Sequence, residues 1–302
     1  MSWFWLSLAA LLCWSGSDLF SKLGCQGEDD RLSHLRMVTA VGLVMGIHAL
    51  IEILSGTQLT LRTVLAYLPV SFFYISSMAV GYLGMRYIEL SISSPICNSS
   101  GALVVVLCLF TDGVGGLDAL QLAAVVLVCA GVIGLGVVEA REDDGLRRAR
   151  QEASNHRYAK SWLALALPVL YCLLDTFGTF ADSRIIETLN EDSANVAYEL
   201  TFFVVGLGCW VYTGLIRRQK PVLRLEVPKY VAALFETAGQ FAYIHALSDT
   251  AHVALSVPII SAYCVGSMLW GRVFLKEKLS LRHYLMIALV VAGIVILGIF
   301  DV

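Results

Sequence analysis

Long apolar runs alternate with short polar segments along the whole chain, and this spacing predicts membrane-spanning helices. A helix needs about 20 apolar residues to cross the hydrocarbon core of a bilayer. Ten runs approach that length, at 2–21, 34–54, 66–85, 90–110, 117–139, 161–182, 195–216, 228–247, 251–273 and 282–300. The pattern therefore predicts an all-α polytopic membrane protein with ten transmembrane helices.

The basic residues fall almost entirely on one side of these predicted spans. The segments that follow the odd-numbered spans hold 19 of the 21 Lys and Arg residues, and the other side holds only Arg62 and Arg184. Lys and Arg in short loops accumulate on the cytoplasmic side of a membrane. The distribution therefore predicts that the odd-numbered loops are cytoplasmic and that both termini lie outside.

The composition agrees with a membrane protein and narrows the classes of partner. The 302-residue chain is 58% hydrophobic and 15% charged, whereas soluble proteins have about 45–50% apolar and about 25% charged residues. Its net charge of −3 provides no basic field for nucleic acid. Seven of the eight cysteines lie in apolar runs, Cys25 falls in a predicted loop, and no C-x-x-C pair occurs. We interpret them as small apolar side chains, neither metal ligands nor disulfides.

The longest polar stretch divides the chain into two halves with five predicted spans each. This stretch, 141–160, reads "REDDGLRRARQEASNHRYAK". The predicted organisation is a first five-helix unit at 1–140, a charged cytoplasmic linker at 141–160 and a second five-helix unit at 161–302.

The two halves resemble each other in sequence. The first half ends in "AGVIGLGVV" and the second in "AGIVILGIF"; further upstream, "LSISSPI" corresponds to "VALSVPI". From Pro95 to Gly131 is 36 residues, and from Pro258 to Gly293 is 35. Because five is odd, the second copy enters the membrane from the opposite side, so the repeats are inverted. Inverted repeats and interrupted helices are typical of secondary transporters, although a duplicated membrane scaffold is an alternative.

The last predicted helix and the residues before it resemble one family. The segment "FLKEKLSLRHYLMIALVVAGIVILG" is similar to the drug/metabolite transporter superfamily, EamA type, in which a GE-x-L element precedes a Gly-rich last helix. Lys276 stands here in place of the Gly, Glu277 and Leu279 follow, and Gly293 and Gly298 supply the tail. The resemblance implies a ten-helix transporter fold and transport of a small metabolite. Many members of that family have cytoplasmic termini, so the resemblance implies the same here, whereas the distribution of Lys and Arg predicts that the termini of this chain lie outside.

Two aspartates occupy matching places in the repeats. Aligning "CWSGSDLFSK" with "LYCLLDTFGT" pairs Trp14 with Tyr171 and Asp18 with Asp175, each aromatic residue lying four positions before its aspartate on one helical face. Intramembrane carboxylates usually face a cavity and mark a substrate or proton path. The alternatives are an Asp18–Lys22 ion pair with Lys22 reaching the cytoplasmic interface and, for Asp175, a hydrogen bond to a neighbouring helix.

A third acid lies near the middle of the eighth span. Glu236 is followed by Gln240 at i+4 and Tyr243 at i+7, with Gly239 beside them, which predicts a polar stripe on one helical face. We expect Glu236 to bind substrate or to couple transport to protons, although it could instead bridge two helices. Glu199 lies nearer the outer end of the seventh span and is interpreted as interfacial.

Prolines interrupt the fourth and ninth spans at matching places. Ser91, Ser94, Pro95 and Asn98 recur at helical spacing in the fourth span. Proline removes a backbone donor and leaves a carbonyl free one turn earlier. We predict that Pro95 and Pro258 bend gating helices beside the cavity; the alternative is a packing kink satisfied by serine hydroxyls.

The predicted cavity favours a positively charged solute. Carboxylates and aromatic faces attract organic cations, and no Lys or Arg is predicted at the centre to bind phosphates. The sequence therefore predicts a secondary transporter of a cationic or zwitterionic metabolite in a bacterial plasma membrane, a monomer or homodimer without a cofactor. Scattered histidines, without H-E-x-x-H, speak against a metalloenzyme. A lipid or lipid-linked-sugar flippase and a non-transporting sensor or scaffold remain alternatives.

Overall fold

The structure is a computed structural model that describes residues 2–25, 32–87, 90–113, 119–140, 162–276 and 279–300. The regular elements in these ranges are helical: α1 (Ser2–Cys25), α2 (Ser33–Leu54), α3 (Leu61–Gly84), α4 (Leu90–Asn98), α5 (Ser100–Asp112), α6 (Ala119–Ala140), α7 (Trp162–Ile185), α8 (Glu191–Trp210), α9 (Leu223–Leu247), α10 (Val253–Ser261), α11 (Tyr263–Phe274) and α12 (Leu281–Phe300). A π-helical turn, Val211–Ile216, continues α8, and a 3₁₀ turn, Thr250–His252, precedes α10. The predicted linker at 141–160 and Glu277 lie outside the described residues.

Most of the long helices are apolar enough to cross a membrane. Seven stretches of the described residues meet that requirement in length and composition: Trp3–Cys25, Ser33–Leu54, Leu61–Gly84, Ser93–Thr111, Ala119–Val138, Glu191–Ile216 and Thr250–Phe274. Helix α9 is less apolar because it carries Glu236, Gln240 and His245, and α12 contains a shorter apolar stretch. The fold agrees with the predicted all-α polytopic membrane protein.

Local sequence explains where several helices begin. Thr60 caps α3 by accepting a hydrogen bond from the Thr63 amide at 3.1 Å, and Asn190 caps α8 by accepting from the Ser193 amide at 3.1 Å. Such side chains satisfy amides that have no partner within the helix. Helix α1 continues past its predicted end at residue 21, so Cys25 is a buried helical residue. The prediction that Cys25 lies in a loop is wrong.

Two spans are broken in the same way. Helices α4 and α10 are each nine residues long and carry a buried proline at the sixth position, Pro95 or Pro258. Ser99 alone separates α4 from α5, and Ala262 alone separates α10 from α11. The Ser99 hydroxyl donates to the Pro95 carbonyl at 2.9 Å, so a serine hydroxyl does satisfy the backbone beside this break.

The two halves of the chain interlock. The most extensive helix contacts are α1 with α9, α2 with α8, α6 with α12 and α3 with α7, and each joins one helix from either half. Glycines allow close approach at two of these crossings. A Cβ atom on Gly42 of α2 would lie 2.7 Å from the Phe202 carbonyl oxygen of α8, and one on Gly293 of α12 would lie 2.8 Å from the Ala124 carbonyl oxygen of α6.

Candidate functional site

A central cavity lies where helices from both halves meet. Its empty space, mouth included, is about 960 Å³. Its wall comes from α1, α3, α7, α8, α9 and the broken pairs α4–α5 and α10–α11. The eight residues predicted to bind substrate or protons all line it: Trp14, Asp18, Asn98, Tyr171, Asp175, Glu236, Gln240 and Tyr243. The structure therefore brings together residues that are up to 229 positions apart in the sequence (243 minus 14).

The two predicted kink residues lie behind the wall. Pro95 and Pro258 are buried, while their neighbours Ser94 and Val257 line the cavity. Neither proline faces lipid. Asn98 links the broken span to the cavity, since its side-chain amide donates to the Ser94 carbonyl at 2.8 Å.

The three predicted acids are each held by serine hydroxyls from another helix. Ser17 donates to Oε2 of Glu236 at 2.7 Å. Oδ2 of Asp18 accepts from Ser94 and from Ser267, both at 2.7 Å, and Oδ2 of Asp175 accepts from Ser100 at 2.6 Å. These bonds orient the carboxyl groups without neutralising their charge.

Within the part of the chain that the structure describes, no basic side chain compensates this acidic wall. None of the three carboxylates forms an ion pair with a described residue, and the described lining contains no Lys, Arg or His. At an effective dielectric constant near 20, two unit charges 4 Å apart interact by about 4 kcal/mol. The cavity is therefore electrostatically suited to a cation, to protons or to both.

Aromatic rings form another part of the wall. The Trp14 ring centroid lies 5.1 Å from that of Tyr243 and 5.8 Å from that of Tyr263. Trp14 lies against Gly239, where a Cβ atom would be 2.5 Å from the indole ring. The space that Gly239 provides is thus occupied by Trp14. An aromatic face stabilises a cation placed within about 6 Å of its centroid.

Several polar atoms in the wall have no hydrogen-bond partner among the described residues. They are the Ser21 hydroxyl, the Tyr82 hydroxyl and the Gln240 side-chain nitrogen, and all three residues line the cavity while being at least nine-tenths buried. An unsatisfied buried polar group costs about 1–3 kcal/mol. A ligand with hydrogen-bonding groups would offset this cost, so these atoms mark places for polar parts of a ligand.

Lys22 does not form the local ion pair considered for Asp18. Its ammonium group donates to the Met85 carbonyl at the end of α3 at 2.6 Å, and the residue is fully buried. The alternative in which Lys22 reaches the interface to pair with Asp18 is therefore wrong. Glu199, interpreted from the sequence as interfacial, has a buried side chain that lies 2.9 Å from Nδ1 of His48.

The sequence interpretation missed part of the site. Tyr74, Ser77, Gly81 and Tyr82 line the cavity from α3, and their spacing of three, four and one residues already marks one helical face. The sequence interpretation also overlooked Asp182, which is fully buried and accepts a hydrogen bond from the cavity residue Tyr74. Asp182 is the last residue of the predicted span 161–182, where a charged residue is expected at a helix end. Its position seven residues after Asp175, on the same face, was the available signal.

Comparison with known proteins places the fold but not the activity. No protein-family model matches the chain. No curated protein matches it in sequence. Among the solved structures, 29 chains match; one of them, described only as "Crystal structure of protein", has a TM-score of 0.65 and 16% identity over 99% of this chain and 96% of that chain. At this identity the likeness concerns the fold alone.

Proposed function

We propose that the protein is a secondary active transporter that moves a small organic cation or zwitterion, such as an amine or an amino-acid-like molecule, and couples it to protons. The observation that carries the proposal is the central cavity with three carboxylates and no basic residue in its described lining.

We further propose an EamA-type fold of the drug/metabolite transporter superfamily, with ten membrane spans in two inverted five-helix repeats. The matched proline-bearing helices α4 and α10 support the duplication. So do two ring pairs: Phe20 stacks on Phe235 with centroids 5.8 Å apart, and its aligned counterpart Phe177 lies 5.9 Å from Phe73. Each pair joins the first helix of one half to the third long helix of the other.

Alternating access follows from this architecture. Inverted repeats meet around a site near the midplane, and one repeat moves against the other while the site stays in place. The breaks beside Pro95 and Pro258 lie next to the wall, so a change at either break would alter access to the cavity. The proposed location is a bacterial plasma membrane, with both termini outside.

Ligand binding tests the proposed substrate class. Purified protein is screened by thermal shift against amines, amino acids, nucleosides and sugar phosphates at two pH values. A ligand that binds only the folded state raises its stability by RT ln(1 + [L]/Kd). We expect stabilisation by amines or amino acids that weakens at the lower pH, because protons compete with the cation. Stabilisation by sugar phosphates alone would contradict the proposal.

The same preparation separates transport from the alternatives. Reconstituted into liposomes, a transporter moves the ligand that stabilises it. A flippase would instead translocate a labelled lipid, and a sensor or scaffold would bind without flux.

A further inference from the structure

Asp182 is a buried acid outside the central cavity. It lies in α7 three residues before the helix ends, about 5 Å along the helix axis, and about 10 Å beyond Asp175. Its side chain is fully buried and forms no ion pair with a described residue. Its closest hydrogen-bond donors among the described residues are two phenols of α3: Tyr67 donates to Oδ1 at 2.7 Å and Tyr74 to Oδ2 at 3.3 Å. The Tyr243 phenol of α9 also lies near the carboxyl group.

The two phenols differ in what else they touch. Tyr67 is fully buried and does not line the cavity. Tyr74 lines the cavity, and its hydroxyl also lies 3.2 Å from the Thr179 hydroxyl and in hydrogen-bond contact with the Tyr243 hydroxyl. A continuous chain of hydroxyl groups therefore joins the cavity to Asp182 through Tyr74.

A phenol has one proton to donate, and Tyr74 has three oxygen neighbours. When Tyr74 donates to Asp182, it can accept from Tyr243; when it donates to Thr179 or Tyr243, the bond to Asp182 is released. This choice of partners is what a proton relay requires. A carboxyl group inside a membrane is costly to insert and commonly marks a substrate or proton path.

We propose that Asp182 exchanges protons with the central cavity through the hydroxyl group of Tyr74. In the forward step the Tyr74 O–H proton passes to an Asp182 oxygen while the Tyr243 O–H proton passes to the Tyr74 oxygen. A proton from the cavity then restores Tyr243. The net change is one proton moved from the cavity to the Asp182 carboxylate, without oxidation or reduction.

The titratable groups that face Asp182 are phenols. They come from three neighbouring helices, with Tyr67 and Tyr74 on α3, Tyr198 on α8 and Tyr243 on α9. Free phenols titrate at about pH 10, so the carboxyl group is the member of this cluster that the proposal assigns to gain and lose a proton. The inference rests on the proposed proton-coupled transport only for its biological purpose, since the exchange itself needs no substrate.

Tyr67 and Tyr74 provide a matched pair of variants. Tyr67→Phe and Tyr74→Phe each remove one phenol hydroxyl that donates to Asp182, but only the second interrupts the chain to the cavity. Infrared difference spectroscopy of substrate-free protein in liposomes, after a pH jump, follows the carboxyl band that Asp182→Asn removes. We expect Tyr74→Phe to slow its protonation roughly a hundredfold, in line with the usual effect of a removed proton-transfer group, and Tyr67→Phe to change it less than about threefold.

Equal slowing in the two variants would overturn the relay and leave Asp182 as a structural group. A carboxyl band of Asp182 that does not change between roughly pH 5 and pH 9, an interval around physiological pH, would overturn it as well. If Tyr74→Phe does not fold, the protonation rate of wild-type Asp182 is compared in H2O and D2O: transfer through the Tyr74 hydroxyl should be slower in D2O, and equal rates would overturn the relay. Wild-type protein that shows the relay but binds no amine would contradict the proposed substrate and leave the relay standing.

Discussion

Replacing Glu236 by Gln removes a charge from the cavity wall and keeps the shape of the side chain. The Ser17 hydroxyl that donates to the carboxylate at 2.7 Å can donate equally to the amide oxygen. Glu236 lies near the middle of α9, which spans Leu223–Leu247. We therefore expect normal expression and folding, and an effect confined to the binding of a cation or a proton.

The magnitude follows from Coulomb's law. A cation bound about 4 Å from the carboxylate gains about 4 kcal/mol at an effective dielectric constant of 20. Asp18 and Asp175 remain and offset part of the loss, so we expect a decrease in binding free energy of about 2–4 kcal/mol. Each 1.4 kcal/mol corresponds to a factor of ten in Kd, which predicts an affinity roughly 30- to 1,000-fold lower.

Thermal shift with the amine identified by the screen measures this loss. At a concentration of about 100 Kd the wild-type protein gains about 2.7 kcal/mol, whereas a variant with a hundredfold higher Kd gains only about 0.4 kcal/mol. Glu199→Gln is the matched control, because Glu199 is a buried acid that pairs with His48 and does not line the cavity. If Glu236→Gln protein is stabilised by the amine as strongly as the wild type, Glu236 is a structural hydrogen-bonding residue and the site is wrong.

Three further outcomes follow from the structure. A C-terminal reporter that is active only in the cytoplasm should stay silent, as the distribution of Lys and Arg predicts, and a strong signal would reverse the proposed orientation. Gly42→Ala should lower the melting temperature in detergent, because its Cβ would lie 2.7 Å from a backbone oxygen of α8, whereas Gly208→Ala, with nothing within 4 Å, should not; equal melting temperatures would contradict the close α2–α8 contact. Glu226→Gln should destabilise the protein by about 3–5 kcal/mol, since Glu226 bonds the buried ammonium group of Lys229 at 2.9 Å and the Arg36 guanidinium at 3.0 Å; an unchanged melting temperature would show that this cluster does not hold α2 to α9.

The candidate site could be predicted in large part because helical periodicity places residues on a face before the fold is known. Trp14 and Asp18 lie one turn apart, and Glu236, Gln240 and Tyr243 follow the same rule on α9. The aligned repeat then adds Asp175, whose own span has little other polarity. Helical periodicity is read from neighbouring residues and the repeat from a sequence alignment, so neither signal requires knowledge of which helices are in contact.

Contacts between helices distant in the sequence could not be predicted in this way. The acceptor of Lys22 is the Met85 carbonyl, 63 residues away, and no local pattern indicates it; the local partner at i−4 was the reasonable but wrong choice. The serines that hold the acids come from other helices, as does the His48 side chain beside Glu199. Asp182 was missed because a charged residue at the edge of an apolar run has the same pattern as a helix end in water.

Uptake into liposomes tests the central claim most directly. Purified protein is reconstituted, a pH gradient is imposed, and accumulation of a labelled quaternary ammonium ion is measured; this ion carries a permanent charge and does not follow the gradient through the lipid alone. The proposed transporter accumulates the ion above its external concentration, and Glu236→Gln protein in the same liposomes does not. Wild-type protein that binds the ion but leaves it at the level of protein-free liposomes would contradict a transport function.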